Sequence, residues 1–192
     1  MGTREDILDA ATRVMRDQGY ARATTKEIAR AAGYSEAALY KHFRDKTEIF
    51  LSVLSEQLPP LGELFGGLAG KSTVRANLTR ITRAALAFYA ESFPIAASVF
   101  STRELLTAHQ DAIRERGAGP RGPVTGLAQY LRAEQKLGRL PRSADAETMA
   151  ALLLGACFQQ AFLLHFDGEE PDSAQLERLA KSLVRTLLNG LR

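Results

Sequence analysis

Apolar residues recur at helical spacing through most of the chain, and capping residues stand where each stripe begins. Ile7, Leu8, Ala11, Val14 and Met15 make the first stripe. Thr3 with Asp6 three residues later has the form of a capping box with a shortened acid, and Gly19 is the stop signal. Thr24 and Glu27 start a second, short helix that turns Ile28, Ala29 and Ala32 inward and ends at Gly33. Ser35 is a favourable N-cap for a third helix with Leu39 and Phe43 on its buried face. Asp45 and Glu48 cap a fourth, striped by Ile49, Phe50, Val53, Leu54 and Leu58.

Pro59-Pro60 and a Gly-rich stretch to Gly70 then break the chain. The pattern predicts a helix from Thr73 to about Ser92, and Pro94 opens the next, to about Thr107. A further segment to about Arg116 ends in the loop GAGPRGP, and Val124 to Leu137 closes at Gly138. Two long helices follow, about Ala146 to Phe166 and Ser173 to Asn189, with FDGEEPD between them. No strand alternation, internal repeat or low-complexity segment interrupts the series, so the expected fold is all-α.

Composition narrows the class. With 192 residues, 45 % hydrophobic and 24 % charged, the chain is long enough for a real core and is not a disordered polymer. The longest apolar run, Met149 to Phe158, is interrupted only by Gly155 and is too short to span a bilayer, so no membrane helix is expected. The first residues lack a signal peptide's apolar centre, and Cys157, the single cysteine, reads as a reduced core thiol; both point to a cytoplasmic protein. Net charge is +3, and residues 22–46 hold six basic and three acidic side chains, so that segment carries the whole excess. Such concentration hints at a polyanionic partner.

Residues 24–43 have the organisation of a helix-turn-helix. Ala29 permits close approach of the second and third helices, Gly33 makes the tight turn, and Leu39 supplies the inward contact six residues later. With Leu39 and Phe43 buried, the exposed face of the third helix shows Glu36, Ala37, Tyr40 and Lys41, flanked by Ser35 and His42. Small Ala37 and Ala38 let the backbone come near DNA, Tyr40 and His42 can donate to phosphate, and Lys41 can reach phosphate or a guanine edge. Glu36 either accepts from a cytosine amino group or repels incorrect sites.

The stretch TTKEIARAAGYSEAALYKHFRDKTEIF resembles the DNA-binding signature of TetR-type bacterial transcription regulators, and the resemblance covers about residues 4 to 54. It departs mildly where Ala37 or Ala38 stands at a third-helix position often held by Gly. Carried over by position, it implies Thr25, Lys26, Ser35, Glu36, Ala37, Tyr40, Lys41, His42 and Lys46 as DNA-facing residues. Lys46 would hold a phosphate together with the backbone N–H groups at the start of the fourth helix. The resemblance implies an N-terminal helix-turn-helix domain, residues 1–47, and a helical ligand-binding and dimerisation domain, residues 48–192. It also favours repression, although nothing in these residues separates a repressor from an activator.

The last helix has an apolar seam of Leu176, Leu179, Ala180, Leu183, Val184, Leu187 and Leu188, with Arg178, Lys181 and Arg185 outside it. The helix before it adds Met149, Leu152, Leu153, Ala156 and Gln160, with Gly155 permitting close approach. Two such helices from each of two chains would make a four-helix interface resembling the family's homodimer; the alternative is that both seams are used inside one chain. Phe88, Tyr89, Phe93, Phe100, Tyr130, Phe158 and Phe162 are candidates to line a pocket for a small apolar or aromatic effector, with Arg103, His109 or Gln159 as polar anchors. A ligand wedged there would move the fourth helix and spoil the spacing of two third helices on an operator; the alternative is a DNA-binding regulator without a small-molecule effector, acting through a protein partner or constitutively. His42, His109 and His165 are scattered, no Cys/His pair has zinc spacing, and no Gly-rich loop cradles phosphate, so neither an enzyme nor a metal or cofactor site is expected.

Overall fold

The computed structural model describes residues 2–57, 61, 65–116 and 119–190, and among these no strand occurs. The elements are α1 (Thr3–Arg22), α2 (Thr25–Ala32), α3 (Glu36–Leu39), α4 (Lys46–Ser52), α5 (Val74–Ala97), α6 (Arg103–Arg116), α7 (Gly122–Lys136), α8 (Ala146–Asp167) and α9 (Ser173–Asn189). A π-helical turn, Val53–Gln57, continues α4, and a 3-10 turn, Ser98–Phe100, precedes α6. The chain forms two compact units, one of residues 1–59 and 92–118, the other of residues 60–91 and 119–192.

The first unit is built on a core of Ile7, Leu8, Met15, Ile28, Leu39, Ile49 and Phe50, joined by Ile95, Val99 and Leu105 from the later segment. Its local structure follows the capping residues. Thr24 Oγ1 accepts from the Glu27 N–H at 3.2 Å while the Glu27 carboxylate accepts from the Thr24 N–H at 3.0 Å, a reciprocal capping box. That bonding to Thr24 holds the Glu27 carboxyl below its ordinary pKa. Asp45 caps α4 through the Glu48 N–H at 2.8 Å. The start of α1 differs from expectation: Gly2 is the N-cap and its N–H donates to Glu5 at 3.2 Å, because Glu5 is the long acid three residues on. Asp6 instead accepts from the Tyr34 hydroxyl at 2.9 Å. Leu58, assigned to the fourth stripe, lies outside the described residues.

The second unit centres on Leu78, Ile81, Leu86, Leu127, Leu131, Ala150, Leu154 and Cys157, closed by Leu176, Ala180 and Val184 of α9. Gly126 is needed where a Cβ would come within 2.7 Å of the Phe65 ring. Glu134, fully buried, is paired with Arg139 at 3.2 Å and accepts from the Gly70 N–H at 3.3 Å. Burial raises the neighbouring Tyr130 hydroxyl to about 12.

One sequence expectation fails here for a physical reason. Pro94 does not open a helix but lies inside α5. It lacks the N–H that would bond the Ala90 carbonyl, and His165 Nε2 takes that carbonyl at 2.6 Å. By length and composition α8 is apolar enough to cross a membrane, with a mean hydropathy of 1.6 over its best window, as the helices of a packed core also are. Met149, Leu153, Leu154, Cys157 and Ala161 pack into the core, while Leu152, Phe158, Phe162, Leu163 and Phe166 remain exposed, so apolar side chains cover two faces rather than one.

Candidate nucleic-acid interface

α2 ends in a left-handed Gly33 (φ 79°), a conformation that glycine adopts without strain. The Tyr34 N–H donates to the Ala29 carbonyl at 2.9 Å and the Gly33 N–H to Arg30 at 3.1 Å, closing the helix and turning the chain sharply. Ser35 then caps α3, its Oγ accepting from the Ala38 N–H at 3.2 Å. Only Glu36–Leu39 is regular helix; Tyr40, Lys41 and His42 lie in the tightened turn that follows, where the His42 N–H bonds the Leu39 carbonyl at 3.0 Å. The expectation of a regular helix through Phe43 is corrected accordingly. Leu39 and Phe43 are still buried, and Ser35, Ala37, Tyr40, Lys41 and His42 are exposed, so the turn keeps these side chains on the outer face.

The first turn of α2 joins this face. Thr25 Oγ1 donates to Glu36 Oε1 at 2.6 Å and lies 3.2 Å from the Tyr40 hydroxyl. Since Thr25 has one hydroxyl proton and Glu36 takes it, Tyr40 is the donor in the second contact. Thr25, Glu36 and Tyr40 are thus held together, with Lys26 exposed beside them. This arrangement places a carboxylate and a phenol together on one turn, with Lys26, Lys41 and His42 exposed.

Lys46 is placed differently from the position-by-position reading. Its ammonium stands 4.1 Å from the Tyr20 ring centroid and donates to the Ala21 carbonyl at 3.4 Å. Burial lowers its pKa, partly offset by Glu27. Tyr20 in turn packs edge-on against Phe50 at 4.8 Å and its hydroxyl lies 3.3 Å from Thr47. Sequence reasoning missed Tyr20 as the residue that positions Lys46, since the two are far apart in sequence and no local pattern joins them.

The effector candidates fall into both units. In the second, Phe88, Tyr89 and Phe158 form an edge-to-face chain with centroids 5.3 and 5.6 Å apart, and burial raises the Tyr89 hydroxyl to about 12. Phe162 stacks on Phe166 at 6.0 Å on the exposed side of α8, Gln159 is exposed on the same helix, and Tyr130 is buried beside Glu134. In the first unit, Phe93 and His109 are half-buried while Phe100 and Arg103 are exposed. Desolvation lowers the His109 pKa. Cys157 is fully buried, with its thiol pushed up to about 12 by burial. That leaves no thiolate near neutrality, as expected of a core thiol.

Comparison with known proteins agrees with this geometry. The model of the family described as bacterial regulatory proteins, tetR family, matches residues 7–53. The transcriptional regulator AcrR of Shigella flexneri is 40 % identical over 62 residues, which are 32 % of this chain and 29 % of that protein. The first relatives are matched over only 28 to 44 % of their own length. The transcriptional repressor BepR of Brucella suis is 30 % identical over 159 residues, 79 % of this chain and 75 % of BepR. The structure of SmeT, repressor of a Stenotrophomonas maltophilia multidrug efflux pump, superposes with a TM-score of 0.68 at 22 % identity, covering 97 % of this chain and 90 % of SmeT. The likeness to BepR, which runs well past the helix-turn-helix, places the chain in the TetR family.

Proposed function

We propose that the protein is a repressor that occupies a near-palindromic operator as a homodimer and is released by a small apolar or aromatic effector. The observation that carries the reading is the face formed by Thr25, Glu36 and Tyr40, with Thr25 hydrogen-bonded to both of the others, together with exposed Lys26, Lys41 and His42. Side chains fixed in this way enter a major groove with little further ordering, and Glu36 is oriented to accept from a cytosine amino group. Two copies of that face, set about 34 to 36 Å apart by a two-fold axis, would read successive major grooves. BepR, similar over most of its length, is named a repressor, which supports the sign of regulation.

The second face of α8 supports the dimer. Leu152, Gly155, Gln159, Phe162 and Phe166 recur at alternating intervals of three and four residues, the spacing of a helix seam, and all are exposed in the single chain. Release by an effector is supported by the aromatic group Phe88, Tyr89 and Phe158 and by SmeT, which has been solved as a complex with triclosan. To empty an operator almost completely, the effector must favour the non-binding conformation by about 5 kcal/mol. Selection of random duplex DNA by the purified protein, sequenced at two salt concentrations, tests the reading: a two-fold symmetric motif supports it, whereas salt-sensitive binding with no enriched motif overturns it.

A further inference from the structure

α5 and α9 bound two adjoining hollows of about 630 and 360 Å³, which share Arg75, Thr79 and Lys181. Their charge is one-sided. Arg75, Arg80 and Arg83 of α5 and Arg178, Lys181 and Arg185 of α9 line them, against the single carboxylate of Glu177. Helical spacing builds this on both sides: 75, 79 and 83 share one stripe of α5, and 178, 181, 182 and 185 one stripe of α9. Glu177 lies 3.1 Å from Lys181 Nζ and 3.7 Å from Arg83 Nε, and Arg83 Nη2 also donates to Ser173 at 2.9 Å. Arg75, Arg80, Arg178 and Arg185 have no ion-pair partner among the described residues. Six cations against one carboxylate exceed the net +3 of the entire chain.

Four unpaired guanidinium groups along the two adjoining hollows repel one another, and an anion that accepts from several at once would relieve this. Five of the six cations are arginines, whose planar forks match phosphate oxygens two bonds at a time. The hollows fall within the size range of small-ligand sites, about 300 to 1,000 Å³, and both open widely to solvent. One phosphate fills neither hollow; the cations are spread along both. The geometry points to a binding site for a multiply phosphorylated small molecule between α5 and α9, separate from the DNA-reading residues and from the proposed apolar effector. Its charge distinguishes it: a ligand here is held by guanidinium forks, with Glu177 available to accept from a ligand hydroxyl.

The test is calorimetric titration of the full-length protein with sodium tripolyphosphate at low salt. Three proteins are compared: the unaltered chain, the double variant R75Q/R178Q, and R132Q, which removes an exposed arginine paired with Glu147 at 2.6 Å outside the groove. All three positions are exposed, so the fold is retained. One tripolyphosphate per chain is expected, bound at least about tenfold more weakly by R75Q/R178Q and within about twofold by R132Q, with orthophosphate at least about tenfold weaker than tripolyphosphate. Absence of saturable binding, or an equal loss in R132Q, overturns the proposal. Displacement of tripolyphosphate by duplex DNA of arbitrary sequence, lost in R75Q/R178Q, also overturns it and makes the groove a DNA-backbone surface. Because the titration contains no operator, its failure leaves the repressor reading standing, and failure of DNA selection leaves this site standing.

Discussion

Thr25 is a small side chain with a large position: its one hydroxyl donates to Glu36 and accepts from Tyr40, linking the start of α2 to the turn after α3. Replacing it with Ala removes both bonds at a half-buried site without touching the apolar core, so operator affinity is expected to fall roughly fivefold to tenfold with little change in melting temperature. Fluorescence anisotropy on the selected operator measures this; full affinity in Thr25→Ala would show that Glu36 and Tyr40 need no such support. Lys46 acts through charge. If its ammonium leaves the Tyr20 ring for a phosphate, Lys46→Ala weakens all duplexes alike and lowers the slope of log affinity against log salt by about 0.9. An unchanged slope would confine Lys46 to its contacts with Tyr20 and Ala21. A third expectation concerns alkali. Burial lifts the Cys157 thiol from 9.0 to about 12, and Tyr89 and Tyr130 from 10.0 to about 12. The folded chain therefore holds protons that the unfolded chain releases, and this stabilisation, complete below pH 9, is lost as pH climbs toward 12. Urea midpoints recorded from about pH 8 to 11 should fall, and Cys157→Ala should flatten the early part of the decline.

Helix ends were the most legible elements, because a cap is a local event. Thr24 with Glu27, Ser35 and Asp45 each bond the backbone three residues ahead, as their types and spacing imply, and Gly33 takes the left-handed conformation that its turn requires. What the chain does with Pro94 was not legible. From sequence alone a proline after Ser92 and Phe93 marks a helix start, since an interior proline orphans a carbonyl four residues back. Here the orphan is Ala90, and the partner, His165, lies 75 residues away on α8. No local pattern joins those two residues, so the signal exists only once α5 and α8 are packed. The arrangement makes a paired prediction. His165→Ala should cost about 1 kcal/mol by leaving the Ala90 carbonyl unsatisfied, and Pro94→Ala, which restores an N–H, should recover most of that loss in the double variant. Urea unfolding of the four proteins gives the coupling; additive effects would mean that His165 does not serve the carbonyl that Pro94 frees.

Across the whole molecule, the division into two units follows contacts that cross long stretches of sequence. Ile95, Val99 and Leu105 belong to the core built by α1, α2 and α4, although they follow the apolar stripe of α5, which otherwise packs with α7 and α8. Linear reading sees a stripe but not which core receives it. The same limit applies to α8, whose apolar residues read as one seam, whereas the folded chain consumes Met149, Leu153 and Cys157 and leaves Leu152, Phe162 and Phe166 outside. Phe166 is 77 % exposed and Leu152 61 %, so large apolar side chains stand outside along one helix. The proposed second copy of the chain would account for both this face and a pair of reading heads, since one α3 contacts too few base pairs to specify a site. Phe162→Glu places a carboxylate in the middle of the seam and leaves the core untouched because the residue is 45 % exposed. Sedimentation equilibrium should then report a monomer in place of the proposed dimer, and affinity for a two-half-site operator should fall toward that for a single half-site, a loss of about 100-fold or more as the second contact ceases to be intramolecular. A Phe162→Glu protein that remains dimeric would place the interface elsewhere. One that becomes monomeric yet keeps full operator affinity would show that a single reading head suffices, and the proposed repressor would then have to act without two-fold symmetry.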